Sequence, residues 1–119
     1  MEVKITESNK MNLIGYFLRD ILKTNLSSKK CQTVADNLQG AVVFDASGMK
    51  ATLIFGKDAI EIYPGTAGGI NAKITGDLNT LLDVALGANY LKLILAGKLK
   101  IGGNLFLLLK LIKLLRVIR

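Results

Sequence analysis

Gly97-Lys98-Leu99-Lys100-Ile101-Gly102-Gly103, followed by Asn104-Leu105-Phe106-Leu107-Leu108-Leu109-Lys110-Leu111-Ile112-Lys113-Leu114-Leu115, sets a short alternating segment directly against a leucine-rich one. Between Gly97 and Ile101 the lysines alternate with Leu99 and Ile101, the period of a strand buried on one face, so Lys98 and Lys100 should face water. From Asn104 to Arg119 the spacing lengthens, with Lys110, Lys113 and Arg116 interrupting an otherwise apolar run at every third position. At about 100° per residue, those three basic groups cover roughly a third of a helix and leave a wide apolar arc. Such a helix extends about 24 Å, short of the roughly 30 Å of a bilayer's hydrocarbon core, and it carries charges along its length. A transmembrane span is therefore not expected.

Upstream of this pair, Thr75-Gly76-Asp77 supplies N-cap candidates for a helix with Leu78, Leu81, Leu82, Ala85 and Leu86 on one face, and Gly87 stands where a helix-ending glycine belongs. Residues 90–95 read as a short further helical segment. Before them lie four short β-rich runs at 41–45, 51–55, 60–63 and 70–75, parted by Ser47-Gly48, by Gly56-Lys57-Asp58 and by the looser Pro64-Gly65-Thr66-Ala67-Gly68-Gly69. An antiparallel meander is expected. Further upstream, Ile14, Phe17, Leu18, Ile21 and Leu22 recur at helical spacing, and Cys31, Val34, Ala35 and Leu38 do so again after Ser27-Ser28, with Gly40 placed to end the turn. The order is helix, helix, four strands, helix, strand, helix, an α+β arrangement. At 119 residues the chain suits one domain, residues 1–119, with one core.

Half of the residues are hydrophobic, so a large apolar surface has to be buried. Sixteen Lys and Arg against nine Asp and Glu give a formal charge of +7, which attracts phosphates or anionic headgroups. Stacking on nucleic-acid bases calls for aromatic side chains among the basic ones. The chain has no Trp, and its aromatic residues sit mostly in apolar runs such as Val42-Val43-Phe44, so no nucleic-acid partner is expected. The single Cys31 has no partner for an intramolecular disulfide, and Met1-Glu2-Val3-Lys4 does not open like a signal peptide. A reducing, cytoplasmic setting is the expectation. The ending Val117-Ile118-Arg119 does not read as a targeting tripeptide.

Catalytic chemistry finds little material. There is no His to serve as general base or metal ligand, and Cys31 lacks an activating neighbour of that kind. The acids Asp20, Asp36, Asp45, Asp58, Glu61, Asp77 and Asp83 are scattered among helix faces, caps and turns without paired spacing. Gly65, Gly68 and Gly69 are not followed by the Lys-Ser or Lys-Thr of a phosphate-binding loop. No enzyme, metal site or cofactor is expected.

Three stretches together resemble the sterol carrier protein family: Asp45-Ala46-Ser47-Gly48 through Ile62 as opening hairpins, Ala72-Lys73-Ile74-Thr75-Gly76-Asp77-Leu78 as a strand entering a helix, and Gly97 to Gly103 before the leucine-rich helix. The third is the most specific, and the resemblance spans about the whole chain, matching only in pattern near the N-terminus. It implies a five-stranded, mostly antiparallel twisted sheet with helices packed on one face, an apolar tunnel for acyl chains, sterols or isoprenoid-like lipids, and no catalysis.

The apolar content of the third and last helices exceeds what one thin core requires. A lipid ligand, a second copy or a membrane surface would absorb the surplus. Leu78, Leu82, Leu86, Leu105, Leu108, Leu109 and Ile112 are the candidate lipid-binding residues, because their spacings converge on one side of these two helices. Phe44, Leu53 and Phe55 are weaker candidates, since strand facing is ambiguous. Lining a tunnel with one side of the last helix and docking a second copy with the other accounts for its wide arc, while Lys110, Lys113 and Arg116 suit transient contact with lipid headgroups. The alternative is a module of the same fold whose interior is filled by its own side chains or by a partner.

Overall fold

Val42, Phe44 and Ala46 alternate along one strand and are all buried, which places the core on the face of the sheet to which they point. This is a computed structural model, and it describes residues 2–66, 69–86 and 88–115. Six strands, β1 (Glu2–Ile5), β2 (Gly40–Ala46), β3 (Met49–Phe55), β4 (Ala59–Pro64), β5 (Ala72–Gly76) and β6 (Leu99–Gly103), form one sheet in the order β1-β4-β3-β2-β5-β6. The α+β architecture of the sequence reading holds, with one strand more than the five expected. The extra strand is β1, whose four residues bury only Val3 fully and so give too short an alternation to read.

The expected meander is present only in β2, β3 and β4, which pair antiparallel. The fourth run does not continue it. β5 pairs parallel to β2, with Phe44 opposite Ile74, and β1 pairs parallel to β4. A parallel neighbour requires the chain to return across the sheet, which is the physical role of the glycine-rich connection after Pro64. At one end of that connection the Gly65 carbonyl accepts from Thr52 Oγ1 at 2.7 Å, and at the other Ala41 N–H donates to Asn71 Oδ1 at 2.8 Å. Ala67 and Gly68 lie outside the described residues. Ala41, Val43 and Thr52, on the face away from the main core, are nevertheless buried.

Helices α1 (Leu13–Asn25), α2 (Lys29–Asp36), α3 (Leu78–Ala85), α4 (Tyr90–Leu95) and α5 (Leu105–Leu115) complete the chain, with a 3₁₀ turn at Ser8–Lys10. Asn12 caps α1 by accepting from Gly15 N–H, and its amide donates to the Lys50 carbonyl at 2.8 Å, tying the helix start to β3. Asp77 caps α3 by accepting from Thr80 N–H at 2.7 Å, and Asn104 caps α5 by accepting from Leu107 N–H at 3.2 Å. The expected helix stop at Gly87 and the end of the last helix from Arg116 lie outside the described residues. Lys98 and Lys100 are exposed while Leu99 is buried, as the alternation requires.

One continuous core joins Ile14, Leu18 and Leu22 of α1, the inward faces of the strands, Leu81 and Val84 of α3, and Leu108, Leu111 and Leu114 of α5. Gly103 has φ +87°, and a side chain there would meet the Asn71 carbonyl and Ala72 Cα, so only glycine lets β6 run this close to the start of β5 before α5 begins.

Candidate functional site

Between the sheet and the helices lies an apolar void of about 20 Å³. Ile14, Phe17, Leu18 and Ile21 of α1 form one wall. Phe44, Ile74 and Leu99, from β2, β5 and β6, form the floor, while Leu81 and Val84 of α3 and Ile112 and Leu115 of α5 close it. Among the described residues, no polar side chain lines the void. A space of this size holds about one water, whereas a void of about 150 Å³ is needed to admit even a benzene ring. The site is a narrow apolar seam between packed layers, with the half-buried Phe17 and Ile21 at its edge.

The seven candidate residues occupy three environments. Ile112 lines the void and Leu108 is buried beside it in the core. Leu78 and Leu82 are half-buried, with Leu78 packed against the core. Leu86, Leu105 and Leu109 are exposed. Among the strand candidates, Phe44 reaches the void, and Leu53 and Phe55 are core residues away from it. The α3 wall is thus made by Leu81 and Val84, because the helix turns a face about one residue away from the one carrying Leu78, Leu82 and Leu86 toward the sheet. The side chain of Ala85 is not described. The contribution of α1 was legible as an amphipathic stripe, but nothing in the sequence marked it as part of this seam.

The helices closing the seam are held unequally. Asn25, buried at the end of α1, donates its amide to the Leu114 carbonyl and so fastens the C-terminal part of α5. α3 packs chiefly on α5 and begins at the Asp77 cap. There the Thr80 N–H, assisted by the Thr80 hydroxyl and by Lys98, holds the Asp77 carboxyl below the usual carboxylate range.

A second, open cleft of about 340 Å³ lies where the β2–β3 turn meets the end of β5 and the start of β6. Its charged groups already have local work. Asp45 accepts from Gly48 N–H at 2.9 Å and stands 4.0 Å from Lys73, and Asp77 caps α3, so the acids offset Lys98 and Lys100. Among the described residues no cluster of three or more His, Cys, Asp or Glu could hold a metal, and no helix is long and apolar enough to cross a membrane.

The model of the SCP-2 sterol transfer family matches residues 18–116. Among solved structures, the chain is similar to the ubiquinone synthesis protein UbiJ-SCP2, with 16% identity over 87% of this chain and 93% of the other and a TM-score of 0.73. It is similar to sterol carrier protein 2 of Yarrowia lipolytica in its apo form, with 19% identity, 92% of each chain covered and a TM-score of 0.66. Palmitated SCP2L2 of Aedes aegypti shares 13% identity over 90% of this chain and 96% of the other, with a TM-score of 0.59. No curated protein matches the chain by sequence.

Proposed function

The chain belongs to the SCP-2 sterol transfer family, and from that premise we propose that it is a non-catalytic, cytoplasmic carrier that takes one apolar lipid into the seam between its sheet and its C-terminal helices. Membership carries lipid binding and transfer as a general class of function. The observation supporting this particular site is the wholly apolar lining contributed by three helices and three strands. A fatty acyl chain, a sterol or an isoprenoid-like lipid would be held by removal of its carbons from water, at about 0.8 kcal/mol per buried methylene. Ten such groups yield about 8 kcal/mol, of micromolar strength before the cost of opening the core. Such binding is broad in specificity, since no lining side chain among the described residues can read a headgroup.

The void cannot accept an acyl chain as it stands, so uptake requires α3 and α5 to separate from α1 and the sheet. α3 is the better candidate for the moving wall, being held mainly through α5. In the open form Ile112, Leu108, Leu78 and Leu82 would join Leu81 and Val84 along the ligand. Leu86, Leu105 and Leu109 lie on the outer surface and would contribute from the rim.

The narrowness of the seam also favours a second reading, in which the interior is permanently filled by the protein's own side chains and the domain serves as an interaction module. Native mass spectrometry of freshly purified protein, with organic extraction of any bound lipid and titration with a fluorescent fatty acid, separates the two. A one-to-one lipid complex that exchanges with liposomes supports the carrier. A protein free of lipid that also takes up no fatty acid, sterol or phospholipid supports the filled module.

A further inference from the structure

The net charge of this chain is concentrated at one end. Up to Asp83 the Lys and Arg residues equal the Asp and Glu residues, and from Val84 to the end there are seven cations and no acid. The whole formal charge of +7 therefore belongs to the last third of the sequence. Lys92, Lys98, Lys100, Lys110 and Lys113, its described lysines, are all exposed.

The same segment carries most of the apolar surface that the fold leaves uncovered. Of the eight exposed large hydrophobic residues among those described, six lie after Asp83: Leu86, Leu91, Leu95, Leu105, Phe106 and Leu109. Leu91 and Leu95, one turn apart on α4, form a ridge beside Lys92, while Tyr90, Leu93 and Ile94 pack against the core. Leu95 is 88% exposed and Phe106 80% exposed, and it is their grouping with Leu91, Leu105 and Leu109 that departs from singly scattered apolar side chains. Helix α4 packs on β6, the end strand of the sheet, and β6 leads through Asn104 into α5, which packs on the same strand.

We propose that α4 and the outward arc of α5 form a docking face for an anionic lipid bilayer. Uncovered leucines beside Lys92, Lys110 and Lys113, none of which is ion-paired among the described residues, match a surface that is apolar below and negative above: the side chains enter the acyl boundary while the ammonium groups remain at headgroup level. A second copy suits this face poorly, because it would set Lys92, Lys110 and Lys113, unpaired among the described residues, against their own counterparts. The face adjoins the carrier site through α3, whose Leu81 and Val84 line the void and whose end leads to Leu86 and α4. Docking there would bring the movable wall to the membrane. That last consequence rests on the carrier reading, and the docking itself does not.

Co-sedimentation with phosphatidylcholine vesicles, with and without phosphatidylglycerol, tests the face. Wild-type protein should bind only the anionic vesicles and release them as salt rises above about 0.5 M, where the screening length is short. Leu91→Glu with Leu95→Glu should weaken binding at least tenfold, and Phe106→Glu should weaken it measurably. Leu13→Glu, at an exposed leucine of α1, should leave it unchanged. All these positions are exposed, so thermal melts should stay close to wild type. Equal binding to neutral vesicles, no vesicle binding at all, or an α4 variant that binds like wild type would each overturn the assignment. So would a stable dimer dissolved by the α4 substitutions, which would give the face to a second copy. Uptake of a fluorescent fatty acid from solution should survive in the α4 variant. Its absence in wild type, alongside intact vesicle binding, would overturn the carrier and leave the docking face standing.

Discussion

Truncating Ile112 to alanine probes both the packing of α5 and the use of the seam. Ile112 is buried and lines the void, touching the layer where α5 closes over α1 and the sheet. Three carbons are removed, worth about 2.4 kcal/mol at 0.8 kcal/mol each, and the enlarged cavity raises the expected loss to about 3–4 kcal/mol. A domain of this length has about 6–18 kcal/mol in total, so the variant should still fold. In urea, with a slope of about 1–3 kcal/mol per molar, the midpoint should fall by roughly 1–4 M with the slope unchanged. The added space also lowers what a ligand must displace. A fatty acid at about one hundred times its dissociation constant should then return about 2.7 kcal/mol, moving the midpoint most of the way back. A midpoint shift equivalent to less than about 0.5 kcal/mol without ligand would refute the placement of α5. A full loss with no recovery at saturating fatty acid, sterol or phospholipid would refute the seam as a lipid site.

Three other outcomes follow from local geometry. Asn25→Ala leaves the Leu114 carbonyl without its amide donor in the core, so a loss of about 1–3 kcal/mol is expected, with faster hydrogen exchange concentrated in the last turns of α5. Gly103→Ala places a methyl group against the Asn71 carbonyl and Ala72 Cα at a positive φ and should cost at least about 2 kcal/mol by thermal melting, whereas Gly48→Ala, with open space around it, should show only the backbone part of that loss. Because the folded state holds the Asp77 carboxyl below its ordinary value of 3.8, its contribution is fully present above that pH and disappears as the pH falls through the folded value. Asp77→Asn, which retains a capping oxygen, should flatten that acid limb in melts taken from neutral to low pH, and an unchanged limb would remove Asp77 as its source.

The parts of the fold governed by local periodicity were legible in the residues. The alternation around Leu99, the amphipathic stripe of α1 and the turns after β2 and β3 each name an element, since a half-buried strand or helix must repeat with the period of its backbone. Even the Asp77 cap could be read, because a short acceptor before a leucine run satisfies the free N–H groups of a helix start. β1 escaped because a strand of four residues has almost no period, and its place beside β4 depends on an edge assembled from distant sequence.

The facing of α3 and α5 was decided by tertiary structure alone. In α3, Leu78, Leu82 and Leu86 form a stripe as regular as one through Leu81 and Val84, and nothing local separates them. Packing on α5 and the sheet chose the second, leaving Leu86 exposed and Leu78 and Leu82 half-buried. In α5 a third of the circumference is basic, so periodicity permits several buried arcs, and the grip of Asn25 on Leu114 accompanies the one observed. By itself the sequence determined the class of fold, the excess of apolar surface and the concentration of positive charge, because these depend on composition and order. Which leucines face the seam and which face outward was left to the tertiary structure, because a helix whose apolar arc is wider than one contact acquires an inside only from what packs against it.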